Sequence, residues 1–105
     1  MSLLKRFEYF DPIWDFSDPV VAQQKAFKLY GDKAILLRSK TKTKKYAIRA
    51  PNGKLVNFGQ MGFDDFLKHK DPVRQNAYLT RSANIKGDWK DDPYSPNNLS
   101  RRILW

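Results

Sequence analysis

Cysteine is absent from the 105 residues, and only one histidine, His69, is present. The first absence removes disulfides, thiolate metal sites and cysteine nucleophiles, and it fits a reducing compartment. The second leaves too few imidazoles for a histidine-based metal cage. No apolar run approaches the roughly 18–20 residues that a membrane-spanning helix needs. The opening MSLLKRFEYFDPIW has no apolar core followed by small residues, so no secretory signal is expected there. Glycine-rich phosphate loops are missing too, because G-Q-M-G at Gly59–Gly62 is too short for either familiar kind. His69 lies among Asp64, Asp65 and Asp71, but two ligands from one short segment do not make a metal site. Asp71 is better explained as a helix cap, and His69 as a structural or surface residue. Pairing His69 with Asp65 in a nuclease ranks last among the readings. No catalytic residue, metal or cofactor is expected. A chain of this length buries roughly 65% of its unfolded surface, which supports one core and not two.

Acidic residues are missing from one long block. Residues 33–63 hold eight basic side chains and no acidic one, whereas residues 1–32 hold four basic and five acidic ones. Residues 64–105 carry eight basic and six acidic side chains, so nearly all of the formal +9 lies in the middle of the chain. Such a patch favours a polyanion or an acidic protein surface, and salt screens it. A solvated hairpin kept soluble by its lysines is the competing explanation.

Aromatic residues crowd the start. Phe7, Tyr9, Phe10, Trp14 and Phe16 are interleaved with Glu8, Asp11 and Asp15 and interrupted by Pro12. Proline and the lack of a 3.6-residue period argue for an extended arm over residues 1–17, with a single domain over 18–105. The rings either pack on the domain's own core or enter a neighbour's pockets. Asp18-Pro19 then opens a helix that Gly31 ends, with Val20, Ala26, Phe27 and Tyr30 inward and Gln23, Gln24, Lys25 and Lys28 mostly facing water. Three strand-like runs follow at 34–38, 45–49 and 54–58. The second should turn Tyr46 and Ile48 to one face and Lys45 and Arg49 towards the other.

Pro51-Asn52-Gly53 is a turn between the last two runs, and Ser39–Lys44 is a polar, projecting tip. Phe63, Phe66 and Leu67 have core spacing, and Asp71-Pro72 opens a helix to about Asn84 with Val73, Ala77 and Leu79 or Tyr78 inward. The tail closes on Ile103, Leu104 and Trp105, which should dock. The fold expected is therefore α+β: a three-stranded antiparallel meander packed with about three helices, an extended aromatic arm and a docked C-terminal tail. The arm and tail, through Phe7, Tyr9, Phe10, Trp14, Phe16, Ile103, Leu104 and Trp105, are candidates for binding a partner. Lys40, Lys42, Lys44, Lys45 and Arg49 form a candidate basic patch, with Tyr46 among them as a ring on which a base can stack.

From Tyr46 onward, YAIRAPNGKLVNFGQMGFDDFLKHKDPVRQNAYLTR and the closing ILW resemble a largely uncharacterised family of small proteins from large eukaryotic double-stranded DNA viruses. The pattern is a strand, a P-x-G-K turn, a strand ending F-G, then G-Y/F-x-D-F/Y-x-x-H-K-D, a later Arg and Tyr, and L-W. Gly53, Lys54, Phe58, Gly59, Gly62, Phe63, Asp65, Phe66, His69, Lys70, Asp71, Arg74, Tyr78, Arg81, Leu104 and Trp105 fit it. Residues 1–45 lie outside the resemblance, and KDDPYSPNNLS departs from the Trp- and His-richer tail of other members.

The resemblance implies a non-enzymatic structural protein of the virion. It would be a minor capsid (cement) component in many copies per particle, linking other capsid proteins after assembly in the host cytoplasm. The basic hairpin would then meet acidic capsid surfaces, the inner membrane surface or nucleic acid. The alternative is a basic nucleic-acid-binding protein without sequence specificity. No zinc finger, recognition helix or RNP pattern accompanies the lysines.

Overall fold

Three of the four helices start at an Asp-Pro or Ser-Pro pair whose side chain satisfies the first free N–H groups. In the computed structural model, which describes residues 6–105, Asp18 accepts from Val20 and Val21 N–H at the start of α1 (Pro19–Tyr30). Gly31 closes that helix at φ +98°, a conformation that favours glycine. Asp71 caps α3 (Pro72–Ala83) in the same way, and Ser95 caps α4 (Pro96–Leu99), which continues as a π-helical turn over Ser100–Leu104. A single turn, α2 (Phe66–His69), precedes α3.

Between α1 and α2 run β1 (Leu36–Arg38), β2 (Lys44–Arg49) and β3 (Leu55–Gln60), an antiparallel sheet in the order β1-β2-β3. Tyr46 pairs with Arg38 on one side and Phe58 on the other. Gly53, at φ +86°, completes the expected turn, with the Asn52 side chain accepting from Lys54 N–H at 3.0 Å. The protein is a small α+β fold, a three-stranded meander with four helices.

One face of the sheet, α1 and the C-terminal helix enclose the core. The Tyr46 ring lies between Phe7, edge-on at 5.5 Å, and Phe58, stacked at 5.7 Å. Leu36, Ile48, Ala22, Ala26, Leu99, Ile103 and Leu104 complete the packing.

Four expectations change here. The aromatic segment is not an extended arm: Phe7 and Ile13 are core residues, and Pro12–Asp15 forms a 3-10 turn capped by Asp11. Residues 1–5 of that segment lie outside the described residues. On α1 Gln23 is buried, because its amide donates to Ala34 C=O at 2.8 Å and accepts from Leu36 N–H at 2.9 Å, fastening the helix to the sheet, whereas Val20 and Phe27, expected inward, are exposed. Phe63 is exposed, while Leu67 is buried.

The fourth change concerns α3, of which only Ser82 is buried; Val73 and Ala77 face solvent. Polar bonds and one ring stack hold this helix against the tail. Gln75 donates to Trp105 C=O, Arg101 to Leu79 C=O and Asn97 to Ser82 C=O, while Tyr78 stacks on Trp105 at 4.1 Å. That attachment leaves a cleft between α3 and the sheet.

Candidate interaction site: an aromatic loop and a basic cleft

Glu8, Tyr9 and Phe10 form a loop fixed at both ends. Phe7 anchors one side in the core and Ile13 the other. Glu8 C=O accepts from Asp11 N–H at 3.0 Å and from the Trp14 indole at 2.9 Å. Asp11 accepts from Ile13 N–H at 2.9 Å and from Arg38 Nε at 2.8 Å, which ties the loop to the sheet. At its apex Tyr9 and Phe10 are 79% and 90% exposed, with their rings edge to face at 5.5 Å. Exposed aromatic side chains are among the types most enriched at protein interfaces, and an anchored loop lowers the ordering cost of using them.

The other expected contact residues sort differently. Phe7, Ile103 and Leu104 belong to the chain's own core and are not offered to a partner. Trp14 and Phe16 are half-buried, and Trp105 is half-buried against Tyr78 and His69. The tail docks on its own molecule.

Within the basic patch, Lys40, Lys42 and Arg49 are exposed and Lys44 is half-buried. Lys45 is not part of that surface. Its side chain is 2% exposed, and its ammonium donates to Asp65 Oδ2 at 3.1 Å, Phe16 C=O at 3.0 Å and Phe63 C=O at 2.7 Å. Three acceptors for three N–H bonds specify the charged form. Burial lowers the Lys45 pKa against the pull of Asp65, and burial likewise raises that of Asp65 against the pull of Lys45. Tyr46 is interior as well, sharing a 2.7 Å hydrogen bond with Ser17, so its ring is closed to a base.

The cleft has a volume of about 640 Å³. Lys44, Arg74 and Arg81 line it, and none of the three makes an ion pair among the described residues. Asp64 is the single acidic side chain on its walls, whose apolar part includes Phe58, Tyr78, Leu104 and Trp105. Phe63 and Ile85, both more than half exposed, stand at it as well. Arg74, Tyr78 and Arg81 were legible as a set, since positions i, i+4 and i+7 share one helix face. They lie outside the acid-free block.

His69 does not line the cleft. Its Nδ1 accepts from Asp71 N–H at 2.9 Å, and its ring lies 5.2 Å from Trp105. Its Nε2 is buried without a hydrogen-bond partner among the described residues. Burial, and then the positive charge of Arg74, lower its pKa. Among the described residues no three His, Asp or Glu side chains cluster as metal ligands.

Residues 34–82 match a protein family of unknown function, DUF5754. The match spans just under half of the chain, taking in the sheet, α2 and nearly all of α3. It therefore contains Lys44, Arg74 and Arg81 and excludes the Tyr9–Phe10 loop and the tail. No curated protein and no solved structure matches the chain.

Proposed function

We propose that the chain is a non-enzymatic structural protein that joins neighbouring proteins in a larger assembly. The viral resemblance makes that assembly the particle of a large DNA virus, with this chain as a minor capsid (cement) component. The exposed Tyr9–Phe10 pair carries the reading: two large rings kept in water on a loop that the core, a capped turn and an ion pair all hold in place. A freely diffusing domain gains nothing from holding such a pair rigid, whereas a contact residue does. Many weak contacts of this kind become strong when copies repeat across a lattice. The test is a photo-reactive phenylalanine analogue at position 10, followed by irradiation of purified particles and mass spectrometry. The expected result is stoichiometric presence and a cross-link to a capsid protein. Absence from washed particles overturns the reading.

A second reading, nucleic-acid binding without sequence specificity, is favoured by the exposed Lys40 and Lys42 at the hairpin tip. It loses support because Lys45 and Tyr46 are interior. Titration of duplex and single-stranded DNA at two salt concentrations separates the readings, since phosphate contacts lose affinity steeply as salt rises. No retention at low salt removes the second.

A further inference from the structure

We propose that the cleft between α3 and the sheet receives the Tyr9–Phe10 loop of a second copy of this chain, so that copies join head to tail. The inference rests on the assembly reading only in taking the loop as a contact, and it names the loop's partner. The two surfaces are complementary. The loop and its turn, residues 8–15, contain Glu8, Asp11 and Asp15 and no basic residue. Asp11 is taken up by Arg38, which leaves Glu8 and Asp15 exposed and free of ion pairs among the described residues. Across the interface, Lys44, Arg74 and Arg81 are equally unpaired, with one acidic neighbour, Asp64.

Size agrees with charge. A space of about 640 Å³ lies within the ordinary range of ligand pockets, roughly 300–1,000 Å³. It offers the aromatic pair an apolar wall ending in Trp105. The loop does not fill its own cleft, because Phe7, Ile13 and the Asp11–Arg38 pair hold it in the exposed position. A second copy is therefore the occupant. The formal charge of +9 opposes the encounter at long range, but the screening length is about 8 Å at physiological salt, and the opposite charges meet inside it. Joined head to tail, the contact is heterologous and builds a ring or a filament; a reciprocal exchange of loops between two copies would instead close a two-fold dimer.

The test is sedimentation of the purified full chain over a concentration series at about 0.15 M salt. The mean mass should rise with concentration past that of a dimer. Phe10→Ser removes the loop's outer ring, and R74E with R81E reverses the cleft; all three positions are exposed, so the fold should persist. Each variant alone should associate at least about tenfold more weakly than the parent. Mixed, they should form a heterodimer and nothing larger, since each supplies the one surface the other lacks. A wild-type chain that stays monomeric overturns the proposal, as does association that both variants retain. A cleft that binds single-stranded DNA while the chain stays monomeric also overturns it, in favour of a polyanion. A particle cross-link from position 10 to a different protein would leave the assembly reading standing while this inference fell.

Discussion

Replacing Lys45 with methionine tests where the positive charge of this chain is spent. Methionine keeps most of the stem that lies against Gly59, and removes the ammonium. Phe16 C=O keeps the Asp65 N–H bond, but Phe63 C=O loses its lysine. The Asp65 side chain, 1% exposed and with Oδ1 already lacking a partner, becomes an isolated buried carboxylate. Breaking a buried pair from one side costs about 3–5 kcal/mol. That is about a fifth or more of a total stability of about 5–15 kcal/mol. A lysine on the projecting tip should change stability by no more than about 0.5 kcal/mol, which makes Lys42→Met the control. Urea unfolding followed by tryptophan fluorescence reads both. Removing the carboxylate as well, in Lys45→Met/Asp65→Leu, should recover about 2 kcal/mol or more, because an apolar replacement leaves no orphaned charge. If Lys45→Met unfolds within about 0.5 kcal/mol of Lys42→Met, the ammonium is a surface charge and the assignment of Lys45 to the interior is wrong.

Three further perturbations probe other joints. Gly59→Ala should destabilise by about 2–4 kcal/mol in the same assay, since its Cβ would stand 2.9 Å from Leu104 Cδ1 at φ +81°; a neutral result would mean the tail does not pack there. Gln23→Leu should cost about 2–4 kcal/mol by leaving Ala34 C=O and Leu36 N–H unpaired in the interior, and Gln24→Leu next to it almost nothing. His69, whose pKa lies below 6.5 in the fold, gives full stability above pH 6.5 and loses it as pH falls, because the unfolded chain takes up the proton first. Unfolding between pH 7.5 and 5.5 should show that slope in the parent and lose it in His69→Gln.

The architecture could be read from the sequence where a local signal matched the final environment. Asp18, Asp71 and Gly31 satisfy helix ends wherever the helix goes, and Asn52-Gly53 makes its turn without help from the core. Side-chain destinations were harder, because they depend on partners far along the chain. Lys45 has the alternation of a surface lysine, and only Asp65, twenty residues on, takes it inside. Gln23 sits on a polar run of α1 and is buried because Leu36 N–H at the start of β1 and Ala34 C=O just before it need its amide as their partner. Phe7 and Tyr9 are two residues apart in one aromatic run, yet one is core and the other nearly bare. For α3, apolar spacing promised a buried face, but bonds to the tail hold the helix off the sheet.

Folding therefore redraws the charge map that composition suggests. Within the acid-free block, Arg38 is committed to Asp11 and to the Lys44 and Lys45 carbonyls, and Lys45 to Asp65. Two of its eight cations thus act as internal fasteners, and both hold the segment that leads into and out of the aromatic loop: Arg38 through Asp11, Lys45 through Phe16 C=O. The cleft cations that form no ion pair among the described residues come from two places, Lys44 at the end of the hairpin and Arg74 and Arg81 on a helix outside the block. The same chain thus uses positive charge twice. Inside, it fixes an acidic, aromatic loop in an exposed position; outside, it lines a cleft whose charge and apolar walls match that loop. A variant that weakens the Arg38–Asp11 pair, which lies outside the cleft, should therefore loosen the loop before it alters the cleft, and the two can be separated by measuring association and stability on the same protein.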